Sequence, residues 1–187
     1  PLLREVRERY GKPLVQEVLD PRHVETLDAV TDVFQIGTRN MYNYELLREV
    51  GRSGKPVILK RGFSATLDEW LLAAEYIAYE RNMNIILCER GIRTTASGTY
   101  VRNTPDLPVL RAVRKESCLP VIFDPSHSTG EAEAVVPTSI AALSMGAQGL
   151  EIDVMPIGYD RRTLQVDGKQ AITARELSEI VKAMKKK

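Results

Sequence analysis

Lys55–Ile77 reads KPVILKRGFSATLDEWLLAAEYI, and the fold is decided in this stretch. Its opening run, Val57-Ile58-Leu59, is apolar at every position, as in a short strand covered on both faces. The run stops on Lys60, Arg61 and Gly62. Thr66 then stands three residues before Glu69, the spacing of a capping box. Leu67, Trp70, Leu71, Ala74 and Ile77 follow at helical spacing and form the expected buried stripe. A buried strand, a charged turn and an amphipathic helix together make one βα unit.

The same pattern repeats on either side. KPLVQEV (Lys12–Val18), VFQIGTRN (Val33–Asn40), NIILCERGIRT (Asn84–Thr94), PVIFDPSH (Pro120–His127) and GLEIDV (Gly149–Val154) each run apolar and then deliver polar groups. Helical periodicity fills the intervals. Pro1–Tyr10 reads as the end of a helix, His23–Ala29 as a short helix opened by Asp20-Pro21, and Asn43–Val50 as one that ends before Gly51. Leu107–Val113 and Val136–Met145 follow, and a last helix begins at Thr173 with a possible capping box to Glu176. Strand–helix alternation of this kind predicts a parallel sheet. The expected fold class is α/β, a (β/α)8 TIM barrel in a single domain over residues 1–187. Six strands are visible, so about six of the eight βα units lie in this chain, with the first two missing from the N-terminus.

A length of 187 residues with 43% apolar content suffices for one sizeable core. Lys and Arg number 26 against 25 Asp and Glu, which gives no global field for nucleic acid or an anionic membrane. No apolar run approaches the length of a membrane span, and no signal-like N-terminus is present, so a soluble cytoplasmic protein is expected. Cys88 ends one strand and Cys118 precedes the next, so a disulfide between them is not expected. Lys185–Lys187 reads as the solvated end of the last helix.

The chemistry gathers where strands stop, the end at which a β/α barrel builds its active site. Lys60 is a point charge for a carboxylate or phosphate, and Gly62 leaves backbone room for close approach. Arg90 and Arg93 flank a glycine turn as a candidate anion clamp, and Arg39 adds a third cationic position. Taken singly, each also reads as an ordinary surface cation. His127 closes Asp124-Pro125-Ser126-His127 and reads as a metal ligand or general base, with Asp124 placed to bind a ligand or orient its neighbour. Asp153 and Asp167 are the candidate carboxylate partners of His127 in an N/O site for a divalent ion, although Asp167 before Gly168 also suits a simple turn. Cys88 reads as a small buried hydrophobe and Trp70 as helix packing.

QIGTRNMYNYELLREVG, KPVILKRGFSATLDEWLLAAEYI, NIILCERGIRT and PVIFDPSHSTG together resemble the 3-deoxy-D-arabino-heptulosonate-7-phosphate (DAHP) synthases of the type I beta subgroup. The resemblance implies a barrel enzyme that condenses phosphoenolpyruvate with erythrose 4-phosphate, the first step of the shikimate pathway of aromatic amino acid biosynthesis. It implies Arg39, Lys60, Arg90 and Glu17 as the lining of the phosphoenolpyruvate pocket; the residue reading adds Arg93 and Asp124 as substrate contacts and makes Lys60 and His127 the expected catalytic residues. His127, Asp153 and Asp167 are implied as ligands of a divalent ion (Mn, Zn, Fe, Co or Mg), in a homo-oligomer of two or four subunits. Asp153 stands where the family has glutamate, and Met155 where it has histidine. The family's Gly-Pro-Cys and Lys-Pro-Arg-Thr motifs have no counterpart here. Two other readings stay open. One is the related 3-deoxy-D-manno-octulosonate-8-phosphate synthase, which takes arabinose 5-phosphate; the other is a degenerate barrel with little activity of its own.

Overall fold

The structure, a computed structural model, describes residues 2–185. The Lys186 and Lys187 end of the predicted last helix and the predicted helical Pro1 therefore lie outside the described residues. The chain divides after Leu87 into two compact units.

In the first unit α1 (Leu2–Tyr10) leads into β1 (Val15–Glu17), then α2 (Val24–Asp28), β2 (Val33–Ile36), α3 (Tyr44–Arg52), β3 (Val57–Lys60) and α4 (Leu67–Tyr79). The strands pair parallel, with Val15 opposite Val33 and Phe34 opposite Val57. β3 continues the sheet towards β4 (Ile85–Glu89) through the Val57 N–H, which donates to the Asn84 carbonyl at 2.8 Å. Val57, Ile58 and Leu59 are all buried, as a parallel strand covered on both faces requires. The predicted capping box is present in both directions: the Glu69 N–H donates to the Thr66 hydroxyl, and Glu69 accepts from the Thr66 N–H at 2.7 Å. The buried face of α4 is Trp70, Ala73, Ala74 and Ile77, while Leu67 and Leu71 are only half-buried. The small Ala73 does not stand out in a hydrophobic stripe, yet it lets the helix sit close.

The predicted stop before Gly51 is wrong: α3 runs through Gly51 to Arg52. Gly51 is a packing glycine, since a Cβ there would lie 2.9 Å from the Ile77 carbonyl and 3.0 Å from the Glu80 Cβ. The helix is released two residues later, where Gly54 takes a positive φ of 71°.

In the second unit β5 (Val121–Phe123) leads into Asp124, whose N–H donates to the Glu89 carbonyl at 2.8 Å. Around it lie α5 (Leu107–Glu116), the short α6 (Pro125–Thr129), α7 (Ala132–Ser144) and α8 (Ala174–Met184). α7 begins four residues before the sequence reading placed it, with Pro137 inside, because the Ala132 N–H already finds a partner in the Lys169 carbonyl. α8 is capped as predicted by Thr173 and Glu176. The predicted sixth strand, Gly149–Val154, is not a regular strand. It is extended and pairs with β5 through the isolated Phe123–Leu150 bridge, and Val154 bridges instead to Ile172. The ladder breaks because the Asp153 N–H donates to the Ser126 hydroxyl at 3.0 Å rather than to a strand neighbour. Ile152 and Leu150 nonetheless pack, with Leu177, against a core of Ala132, Val135, Ile172 and Ile180. Among the described residues no helix is long and apolar enough to cross a membrane.

Candidate active site and metal cluster

In the first unit three strands end in candidate site residues. Lys60 closes β3 and is buried, as is Arg61 after it. Arg61 is held in place: its Nε donates to the Ala65 carbonyl at 2.9 Å and its guanidinium lies over Trp70. Arg39 sits in a single 3-10 turn after β2, exposed, with its guanidinium 5.9 Å from the Phe63 ring centre. Glu17 ends β1 and is exposed, and its carboxylate lies across Gly37, where a Cβ would come within 1.9 Å of Oε1. A side chain at position 37 would push that flexible carboxylate aside.

In the second unit the cations divide. Arg90 is buried, 5% exposed, whereas Arg93 beyond Gly91 is exposed. Gly91 makes that turn with φ of 83°, and its N–H donates to the buried Glu89 carboxylate at 2.7 Å. Burial pushes the Arg90 guanidinium below its ordinary pKa, against the opposing pull of the Asp124 carboxylate. A desolvated cation of this kind is a strong receptor for an incoming anion.

The other predicted set does come together. His127, Asp153 and Asp167 each offer one ligand atom, and these atoms lie within 4.8 Å of one another. Asp124 is fully buried: one oxygen accepts the His127 N–H at 2.9 Å and so caps α6, and the other lies 2.8 Å from His127 Nδ1. Nε2, the other ring nitrogen, lies 3.7 Å from Asp167 Oδ2. A carboxylate behind a histidine, fixing its tautomer, is the usual support of a metal-ligating imidazole. An imidazole and two carboxylates suit a borderline or hard divalent ion, so the residues fit the group. Asp167 itself adopts a positive φ of 53°, a conformation aspartate tolerates better than most residues. Cys88 is fully buried, with its sulfur 3.8 Å from Glu151 Oε2, and Cys118 is exposed.

Sequence reading missed the supports of this cluster. Ser126 holds the Asp153 backbone, and buried Asn103 donates to the His127 carbonyl at 3.0 Å. Gln170 Nε2 donates to Asp153 Oδ2 at 2.6 Å, and Arg102 Nη1 donates to both Gln170 Oε1 at 2.7 Å and Asp167 Oδ1 at 3.1 Å. Only the position of Gln170 in the Asp167-Gly168-Lys169-Gln170 string hinted at such a role.

Parallel βα units with ionisable groups at the carboxyl ends of the strands define the class: part of a (β/α)8 barrel of the enzyme type. Solved structures bear this out. The crystal structure of the phospho-2-dehydro-3-deoxyheptonate aldolase (DAHP synthase) of Thermotoga maritima matches with a TM-score of 0.92 at 44% identity, covering 98% of this chain and 53% of that one. A truncated form of the Thermotoga maritima synthase matches with a TM-score of 0.91, covering 68% of its chain. The model of the DAHP synthetase I family matches residues 1–187, and the chain belongs to that family.

In sequence, the phospho-2-dehydro-3-deoxyheptonate aldolase of Thermotoga maritima is 45% identical over 98% of this chain and 53% of its own length. A 2-dehydro-3-deoxyphosphooctonate aldolase of Syntrophotalea carbinolica is 30% identical over 98% of this chain and 67% of its own length. The chain thus spans between half and two thirds of these relatives.

Proposed function

We propose that this chain carries catalytic βα units of an enzyme that condenses phosphoenolpyruvate with erythrose 4-phosphate to give DAHP and phosphate. The observation that carries the reading is the 45% identity to the heptonate aldolase over nearly the whole chain, against 30% for the octonate relative. In this reading residues 1–187 are one barrel domain without its first two βα units, working in the cytoplasm as a homo-oligomer.

The anionic groups of phosphoenolpyruvate call for fixed cations, and Arg39, Lys60, Arg90 and Arg93 take that role, with Glu17 and Asp124 as further substrate contacts. Such groups act by holding charged partners in register and by meeting charge as it develops, without reorganising. C3 of phosphoenolpyruvate attacks the aldehyde carbon of the sugar phosphate, water adds at C2, and phosphate leaves with C–O cleavage. His127, Asp153 and Asp167 would hold a divalent ion (Mn, Zn, Fe, Co or Mg), which would supply Lewis acidity. Asp124 Oδ2, 2.8 Å from Nδ1, would favour the His127 proton on that nitrogen.

The test is phosphate release from phosphoenolpyruvate with each sugar phosphate. Release with erythrose 4-phosphate and not with arabinose 5-phosphate is expected. The reverse preference would make the octulosonate reading correct, and no turnover with either would favour the degenerate barrel.

A further inference from the structure

We propose that Gln170 is a positioning residue that aims both carboxylates of the metal cluster, with Arg102 fixing the direction of its amide. The inference rests on the metal reading above and deepens it.

Gln170 is 2% exposed, so both ends of its amide need partners. Its Nε2 donates to Asp153 Oδ2 at 2.6 Å and its Oε1 accepts from Arg102 Nη1 at 2.7 Å. A guanidinium offers only donors and a carboxylate only acceptors, so the amide has one satisfied orientation and the reverse one loses both bonds. The same Arg102 nitrogen reaches Asp167 Oδ1 at 3.1 Å. One oxygen of each carboxylate is therefore tied back through a single guanidinium–amide bridge, and the two aspartates are held in a common frame.

The bridge stands on rigid ground. Arg102 is anchored by its backbone, whose N–H donates to the Thr129 carbonyl at 3.0 Å, and its side chain crosses Gly130, where a Cβ would lie 2.6 Å from the Arg102 Cβ. Gln170 and Asp167 belong to one turn, closed by the Gln170 N–H on the Asp167 carbonyl at 3.2 Å. Gly168 in that turn packs so tightly that a Cβ would come within 2.2 Å of the Arg161 carbonyl. A neutral amide orients Asp153 without adding charge beside a cation site. Outer-shell hydrogen bonds of this kind commonly set metal affinity by about 10–100-fold.

The experiment titrates the full chain with Co2+ alone, following heat and the visible absorption of the bound ion, in wild type, Gln170→Ala and Gln170→Met. Methionine keeps the side-chain volume but makes no hydrogen bond to Asp153, so it preserves packing if the alanine variant fails to fold. Melting in chelator reports the metal-free fold. The expected result is Co2+ affinity lowered by about tenfold or more in a folded variant, with an altered absorption spectrum. A folded variant with wild-type affinity and spectrum overturns the positioning role alone, whatever its melting temperature. Absence of Co2+ binding in wild type overturns the metal cluster, and the role of Gln170 with it.

Discussion

Replacing Asp124 with asparagine tests the logic of the cluster at its buried support. The wild-type carboxylate accepts from the His127 backbone N–H at 2.9 Å, and its other oxygen lies 2.8 Å from Nδ1. An asparagine carbonyl can keep the first bond, which leaves its NH2 facing the Nδ1 proton. Two donors then oppose each other, and the imidazole proton moves to Nε2, the nitrogen directed at Asp167. Flipping the amide only exchanges this loss for that of the α6 cap. Loss of such a support costs about 10–100-fold in metal affinity, which is about 1.4–2.7 kcal/mol at about 1.4 kcal/mol per factor of ten. Asp124→Asn also removes the negative charge that offsets the burial of Arg90, so the metal-free melting temperature falls as well. Asp124→Ala adds the loss of the N-cap, about 1 kcal/mol. Calorimetric titration with Mn2+ separates binding from stability. Mn2+ affinity in Asp124→Asn within twofold of wild type would refute the claim that Asp124 sets the histidine tautomer.

Three further outcomes are expected. Lys60→Ala in the intact enzyme abolishes turnover while circular dichroism remains that of the folded protein; wild-type kinetics would remove Lys60 from the site. Gly51→Ala gains up to about 1 kcal/mol of helix propensity, but the 2.9 Å approach to the Ile77 carbonyl is to backbone that cannot step aside. Urea unfolding is therefore expected to show a net loss of about 1–2 kcal/mol, the low end of overpacking, and a gain in stability would disprove the contact. Burial alone would raise the Glu176 carboxyl, but the bonds from Thr173 and Arg161 outweigh it and hold the pKa below the ordinary range. A carboxyl depressed in the folded state stabilises above its unfolded pKa, and that contribution is lost as pH falls through the folded value. Urea midpoints measured from about pH 6 down to about pH 3 should therefore drop less steeply in Glu176→Gln than in wild type, and parallel slopes would remove Glu176 from the acid response.

The sequence alone determined the βα repeat and the residues at the strand ends, because both are written locally. A strand covered on both faces must be apolar throughout, and a capping box needs only four residues, so Val57–Leu59, Thr66–Glu69 and Thr173–Glu176 were legible without a neighbour. His127, Asp153 and Asp167 were likewise legible as ligand types, though nothing in their spacing brought them within reach of one another. What tertiary structure decided is everything set by contact between distant segments. Gly51 reads as a helix stop but serves α3–α4 packing, and Gly149–Val154 reads as a strand but gives its Asp153 N–H to Ser126. Gln170 and Arg102, 68 positions apart in the chain, meet at a single hydrogen bond that no local pattern announces. Propensity and periodicity report what a residue prefers over one or two turns, whereas a buried amide finds its two partners only after the backbone has closed around it.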